Sequence, residues 1–208
     1  MNQRRYRDTL IKFFNQLVNY HRNVYTLVVT FPENTTDEFT EASTKHLLHL
    51  LNQKIYGRRY EQYDRYVEGV ITRERQLNGC MHYNMLIVGH KLELPDYDEM
   101  YSLLIDSIGK LKKFSFIKKS CTGRKLIGCD SWKFQSYYST DSFDWEDYIT
   151  KNFNDVRHSL QTSIDSFGFI KGRDLTFGSD CLESFYNGSL RGFYNNAVRI
   201  AMKVSHCE

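Results

Sequence analysis

His82 and Asn84 stand two residues apart in Gly79-Cys80-Met81-His82-Tyr83-Asn84-Met85-Leu86-Ile87-Val88-Gly89, a stretch otherwise rich in apolar residues. Side chains at i and i+2 of a strand share a face. An imidazole and a carboxamide are therefore expected side by side on a strand built for burial. Desolvating such groups is unfavourable unless each finds a partner, and a bound cation is one such partner. Thr72-Arg73-Glu74-Arg75 precedes the turn signal Asn78-Gly79, and a hairpin there brings Glu74 near His82. Glu68 has the same parity as Glu74, but Glu74 is closer to the turn and is the better carboxylate candidate. Imidazole nitrogen, amide oxygen and carboxylate together suit Mg²⁺ or Mn²⁺, with positions left for phosphate oxygens. Zinc is disfavoured, because no cysteine accompanies them at ligand spacing.

A nucleophile is offered further on. Trp145-Glu146-Asp147-Tyr148-Ile149-Thr150-Lys151 places Tyr148 and Lys151 at i and i+3, on one face of a helix. An ammonium beside a phenol favours the phenolate and can neutralise a nearby phosphate. Of the 15 tyrosines, Tyr148 alone is followed by lysine at the third position. Taken singly, a His and an Asn on a strand are more often hydrogen-bonded structural residues, and Tyr148 can equally pack beside Trp145. The order of the groups along the chain is what points to a site.

The elements that must position them can be read from hydrophobic spacing. Residues 5–21 place Tyr6, Leu10, Phe13, Phe14, Leu17 and Val18 at helical intervals. Val24 to Phe31 reads as a β-branched strand stopped at Pro32. Thr36 or Asp37 can cap a helix carrying Phe39, Leu47, Leu48, Leu51 and Ile55. Tyr63 to about Arg75 and Met81 to Val88 are expected as the two hairpin strands. A third helix covers about 96–112, with weaker strands at Phe114–Ile117 and Asp130–Tyr138. Phe143 to Asn154 reads as a short helix capped at Asp141 or Ser142, followed by a polar helix or turn. A last helix spans about 180–204. Tight-turn strands are antiparallel, so the fold class expected is α+β: a central antiparallel β-sheet with helices packed on its faces. The 208 residues suit one domain, with a core over about 24–180 and flanking terminal helices.

Net charge is only +3, yet basic residues cluster at Arg4-Arg5-Tyr6-Arg7, Arg58-Arg59, Lys110 through Lys119 and Arg124-Lys125. Lys118 and Lys119, with Lys112 and Lys113, bracket Phe114-Ser115-Phe116-Ile117. Basic groups interleaved with aromatics suit a phosphate backbone with stackable bases, against the plainer reading of a solvated surface. Five cysteines without a CxxC pair fit reduced thiols in a cytosolic protein. The polar, basic N-terminus has no apolar signal region, and no apolar run approaches the roughly 20 residues a membrane span needs. The expected setting is the cytoplasm.

Taken in order, these elements resemble the HUH endonucleases, in their single-tyrosine rolling-circle replication initiator (phage or plasmid Rep) form. Thr26-Leu27-Val28-Val29-Thr30-Phe31-Pro32 is similar to the family's Thr-rich first strand. Glu74 through Asn84 is similar to its Glu, glycine turn and His-hydrophobic-His strand, with Asn84 standing where the family has a second histidine. Tyr148 to Lys151 resembles its Tyr-x-x-Lys helix, and Lys171 to Ser179 its following basic, Gly/Ser-containing segment. The resemblance implies a metal-dependent, site-specific nickase with Tyr148 as nucleophile and Lys151 steadying phosphate or phenolate. His82, Asn84 and Glu74 would hold Mg²⁺ or Mn²⁺. It implies a 5′-phosphotyrosine on single-stranded or hairpin-extruded DNA, with Arg73, Arg75, Lys118, Lys119, Arg124, Lys125 and Arg173 as candidate DNA contacts. The setting would be a bacterial host, in replication of a mobile genetic element or in nicking a competing phage genome. With no GxxxxGK[ST] loop in the chain, a helicase would be a separate host or phage partner. Asn84 is either a tolerated ligand variant or an engineered replacement of a histidine. The alternative function is a catalytically inactive module of the same fold that binds an origin or promoter; a third and weaker reading is an RNA-binding domain of similar sheet topology, whose aromatic strand pattern this chain lacks.

Overall fold

Local sequence signals set most of the element boundaries. The computed structural model describes residues 3–33, 35–77, 79–111, 132–137, 150–151 and 160–178. In chain order they form α1 (Gln3–Asn19), β1 (Tyr25–Phe31), α2 (Asp37–Tyr56), β2 (Val67–Arg75), β3 (Met81–Gly89), α3 (Tyr97–Lys110), β4 (Trp132–Ser136), α4 (Leu160–Asp165), β5 (Phe167–Lys171) and β6 (Asp174–Phe177). Thr36 caps α2, its hydroxyl accepting from the Phe39 amide at 3.3 Å, and Asp37 and Glu38 follow in the first turn. Asp96 caps α3 in the same way, accepting from the Glu99 amide at 3.0 Å. No described helix is long and apolar enough to cross a membrane.

The six strands form one sheet in the order β4-β1-β3-β2-β5-β6, and every neighbouring pair is antiparallel. The fold is α+β, with helices against both faces. Odd-numbered residues of β1 and β3, such as Leu27, Val29, Tyr83 and Met85, meet Leu47, Leu48, Leu51, Met100, Leu104 and Ile108 of α2 and α3. Even-numbered Leu86 and Val88, with Val70 and Phe167, meet Leu10, Phe14 and Leu17 of α1. The central strands are thus covered on both sides, which is why β3 reads as an almost unbroken apolar run. On the α1 face, alongside Val28 of β1 and Phe167 of β5, the apolar residues of β2 and β3 stop at Val70 and Leu86. Beyond them stand Thr72, Glu74, Asn84 and His82.

Three expectations change in detail. The strand expected from Tyr63 starts at Val67. Residues 60–65 instead satisfy their backbone locally, the Arg65 amide bonding the Tyr60 carbonyl at 2.9 Å, and Asp64 takes a φ of +53° that no strand tolerates. The strand expected over Asp130–Tyr138 is the five-residue strand β4, outermost on its side among the described strands. Lys171 to Ser179, expected only as a basic, Gly/Ser-containing segment, has a regular structure over its described part. It is the turn and second strand of the β5–β6 hairpin, with Gly172 at φ +63° in a two-residue loop between paired Lys171 and Asp174. The Phe114–Ile117 strand, the 180–204 helix and all of Phe143–Asn154 except Thr150 and Lys151 lie outside the described residues.

Candidate active site

The β2–β3 hairpin sets the geometry. Its ladder pairs Glu74 with His82 and Thr72 with Asn84. On the other side, β1 pairs Thr30 with His82 and Val28 with Asn84. The connection is closed by the Gln76 amide on the Cys80 carbonyl and the Gly79 amide on the Gln76 carbonyl, both at 2.8 Å. Gly79 takes φ +81°, and a side chain there would crowd Glu33 at 3.2 Å. Glycine is therefore required to hold the register that sets Glu74 opposite His82.

His82 is tied down through one nitrogen only. Its Nδ1 lies 3.1 Å from Thr30 Oγ1, while its Nε2 is buried with no hydrogen-bond partner among the described residues. Burial holds the imidazole pKa below its ordinary value; Glu74 opposes the shift and Lys151 adds to it. Burial thus favours the neutral ring, and in the tautomer whose Nδ1–H donates to Thr30 a lone pair is left on Nε2. Across the ladder, Glu74 Oε2 accepts from Lys151 Nζ at 2.7 Å. Lys151 comes from a remote part of the chain. Its neighbour Thr150 is fully buried and accepts from Arg7 Nε of α1 at 3.2 Å. Asn84 is 3% exposed, and its Nδ2 reaches Thr72 Oγ1 only at 3.5 Å, the outer limit of a hydrogen bond.

These groups fit a divalent cation as a partial ligand set. An orphaned, buried imidazole nitrogen and a carboxylate directly opposite it are two good donors, and the Asn84 amide is a weaker third. Among the described residues, no three or more His, Cys, Asp or Glu side chains gather as a metal cluster. A cation here would take its remaining ligands from water and substrate. The Thr30–His82 contact is the kind of outer-shell bond that fixes the tautomer of a ligating histidine. Lys151 already neutralises Glu74, so a cation and the ammonium would share or contest that carboxylate.

The structure separates the other expected residues. Glu68 shares the face of Glu74 but lies six residues along β2, about 20 Å away. It is buried and its carboxylate meets His90 Nδ1 at 2.7 Å. Glu74 is therefore the carboxylate that faces His82. Arg73 and Arg75 have odd parity and point to the opposite, α2 side. Arg73 stacks on Phe177 at 4.5 Å and its Nε donates to the Asp165 carbonyl at 3.2 Å. Arg75 donates to the carbonyls of Gly79 and Thr35 and pairs with Asp37, bracing the turn beside the site. Arg173 sits in the β5–β6 loop at the Glu68 end of the sheet, 3.4 Å from Glu61. Tyr148, Lys118, Lys119, Arg124 and Lys125 lie outside the described residues. The sequence reading missed Thr30 and Thr72 as partners of His82 and Asn84, though strand parity could have paired them. It missed Arg7 and Thr150 because no local signal couples them. In comparison with known proteins, no family model, curated protein or solved structure matches this chain, so the chemistry of the site is read from its own residues.

Proposed function

We propose that the chain is a site-specific DNA nickase of the HUH endonuclease type, acting on single-stranded or hairpin-extruded DNA in the cytoplasm of a bacterial host. The observation that carries this reading is the ion pair of Lys151 with Glu74, opposite a buried His82 whose Nε2 has no partner among the described residues. Lys151, the last residue of the Tyr-x-x-Lys motif, meets Glu74 of the Glu–His strand pair although 77 residues separate them in sequence.

In this reading His82 and Glu74, with Asn84, hold Mg²⁺ or Mn²⁺, which when bound withdraws charge from the scissile phosphate. The Tyr148 phenolate oxygen attacks phosphorus; the bond from phosphorus to the 3′ oxygen breaks, and that oxygen leaves with a proton as a free 3′-OH. The 5′ phosphate remains on Tyr148 as a phosphodiester. Lys151 offsets the negative charge of phenolate or phosphate. His82, held neutral by burial, serves as a ligand rather than as an acid. The same activity serves replication of a mobile element or attack on a competing phage genome.

A second reading is supported by Asn84, where an amide with only a long contact to Thr72 replaces a stronger donor. In it the chain binds an origin or promoter without cutting. Incubation with a pool of labelled single-stranded and hairpin DNAs plus Mn²⁺ separates the two. A covalent adduct that disappears in Tyr148→Phe supports the nickase. Binding with no adduct, even in Asn84→His, replaces it with the binding module.

A further inference from the structure

The α1 stripe that packs on the sheet is Leu10, Phe14 and Leu17. One turn before Leu10, the same stripe carries Arg7. On β2 and β3 the face turned toward α1 changes from Val70 and Leu86 to Thr72, Glu74, Asn84 and His82. The Arg7 guanidinium donates to the buried hydroxyl of Thr150, and the next residue, Lys151, reaches Glu74. The described pair Thr150–Lys151 is therefore held by α1 and by β2.

We propose that Arg7 is a positioning residue for Lys151. By fixing Thr150, it makes the N-terminal helix part of the site's framework. Lysine has four rotatable side-chain bonds, and an exposed ion pair alone orders it weakly. A fixed backbone immediately before it narrows the space the ammonium searches. This inference rests on the nickase reading for its catalytic consequence, but not for its structural one.

The test has two arms. The first labels amines in the folded protein with a limiting acylating reagent and follows Lys151 by peptide mass spectrometry. Lys45 is the internal reference, since it is similarly exposed (39% against 40%) and similarly paired, with Glu41. Arg7→Ala and, separately, the near-isosteric Thr150→Val are expected to raise Lys151 labelling about two- to fivefold, the range an exposed ion pair can suppress. Lys45 stays constant, and Thr150→Ser, which keeps the hydroxyl, stays at the wild-type rate. Unchanged Lys151 labelling, or a parallel rise at Lys45, overturns the proposal. The second arm measures the rate of adduct formation on single-stranded DNA. Arg7→Ala is expected to slow it about 10- to 100-fold with DNA affinity within about twofold, and to add nothing in a Lys151→Ala background. Additive losses overturn the catalytic consequence. If the wild-type protein forms no adduct at all, the nickase reading fails while the labelling arm still decides the role of Arg7.

Discussion

Replacing Thr30 by valine tests the assignment of His82 as a ligand through a residue that would never touch the cation. Thr30 is 3% exposed and its hydroxyl is the Nδ1 partner of His82 at 3.1 Å. Valine keeps the shape and removes the acceptor. Leaving a buried imidazole N–H unpaired costs about 1–3 kcal/mol, a fall in Tm of roughly 2–12 °C for a chain of this length. The larger effect is on the cation. With no acceptor for Nδ1–H, the tautomer that frees Nε2 is no longer favoured, and loss of an outer-shell bond of this kind lowers metal affinity about 10- to 100-fold. At a Mn²⁺ concentration near 100 times the wild-type Kd, binding stabilises the wild type by about 2.7 kcal/mol. The same concentration would stabilise Thr30→Val by only about 0.4–1.4 kcal/mol. Thermal melts with and without Mn²⁺, beside calorimetric titration, read both quantities. Thr26→Val, on the same face and 4% exposed but four residues along β1 from the His82 contact, is the control; it should keep the full Mn²⁺ gain. A Thr30→Val protein that gains as much from Mn²⁺ as the wild type, while His82→Ala gains nothing, refutes the tautomer argument.

Asn84→His is expected to tighten Mn²⁺ binding by an order of magnitude or more by adding a second imidazole, and to speed adduct formation; unchanged affinity in a folded variant shows that position 84 is not a ligand. Burial lowers the pKa of both His82 and His49 from the ordinary 6.5. The unfolded chain then binds more protons than the folded one near that pH, so stability is complete above it and declines as pH falls below it. Urea midpoints from pH 8 to 5.5 should fall, and fall less in His49→Gln; a flat or rising profile contradicts the assignment. Gly69→Ala places a Cβ 1.9 Å from the Leu86 carbonyl oxygen at a φ of +155°. It should cost about 3 kcal/mol or more by forcing the β2–β3 ladder apart, and a urea midpoint within error of the wild type excludes that clash.

Much of the framework was legible because it is local. Thr36 and Asp96 announce their helices through side chains that bond amides three residues on. The β2–β3 register follows from the short connection around Gly79, so the pairing of Glu74 with His82 needed only the turn and strand parity. Parity also carried a signal that was overlooked: Arg73 and Arg75 are odd where Glu74 is even, which assigns them to the α2 side before any contact is known. The β5–β6 hairpin was hidden because its strands are only five and four residues long, and Gly172-Arg173 is a weaker turn signal than Asn-Gly.

The sequence by itself determined the chemistry offered at the site: an imidazole, an amide and a carboxylate on adjacent strands of one hairpin, and a lysine three residues after a single tyrosine. Spacing within one element or one tight turn fixes such placements, because few backbone dihedrals separate the residues. The tertiary structure alone decided what meets that hairpin. It set β1 alongside so that Thr30 reaches His82, left Nε2 buried and unpartnered, and brought Lys151 to Glu74 and Arg7 to Thr150. Those contacts join segments separated by 52 to 143 residues. No local propensity encodes them; they follow from how the apolar faces of α1 and the sheet exclude water together.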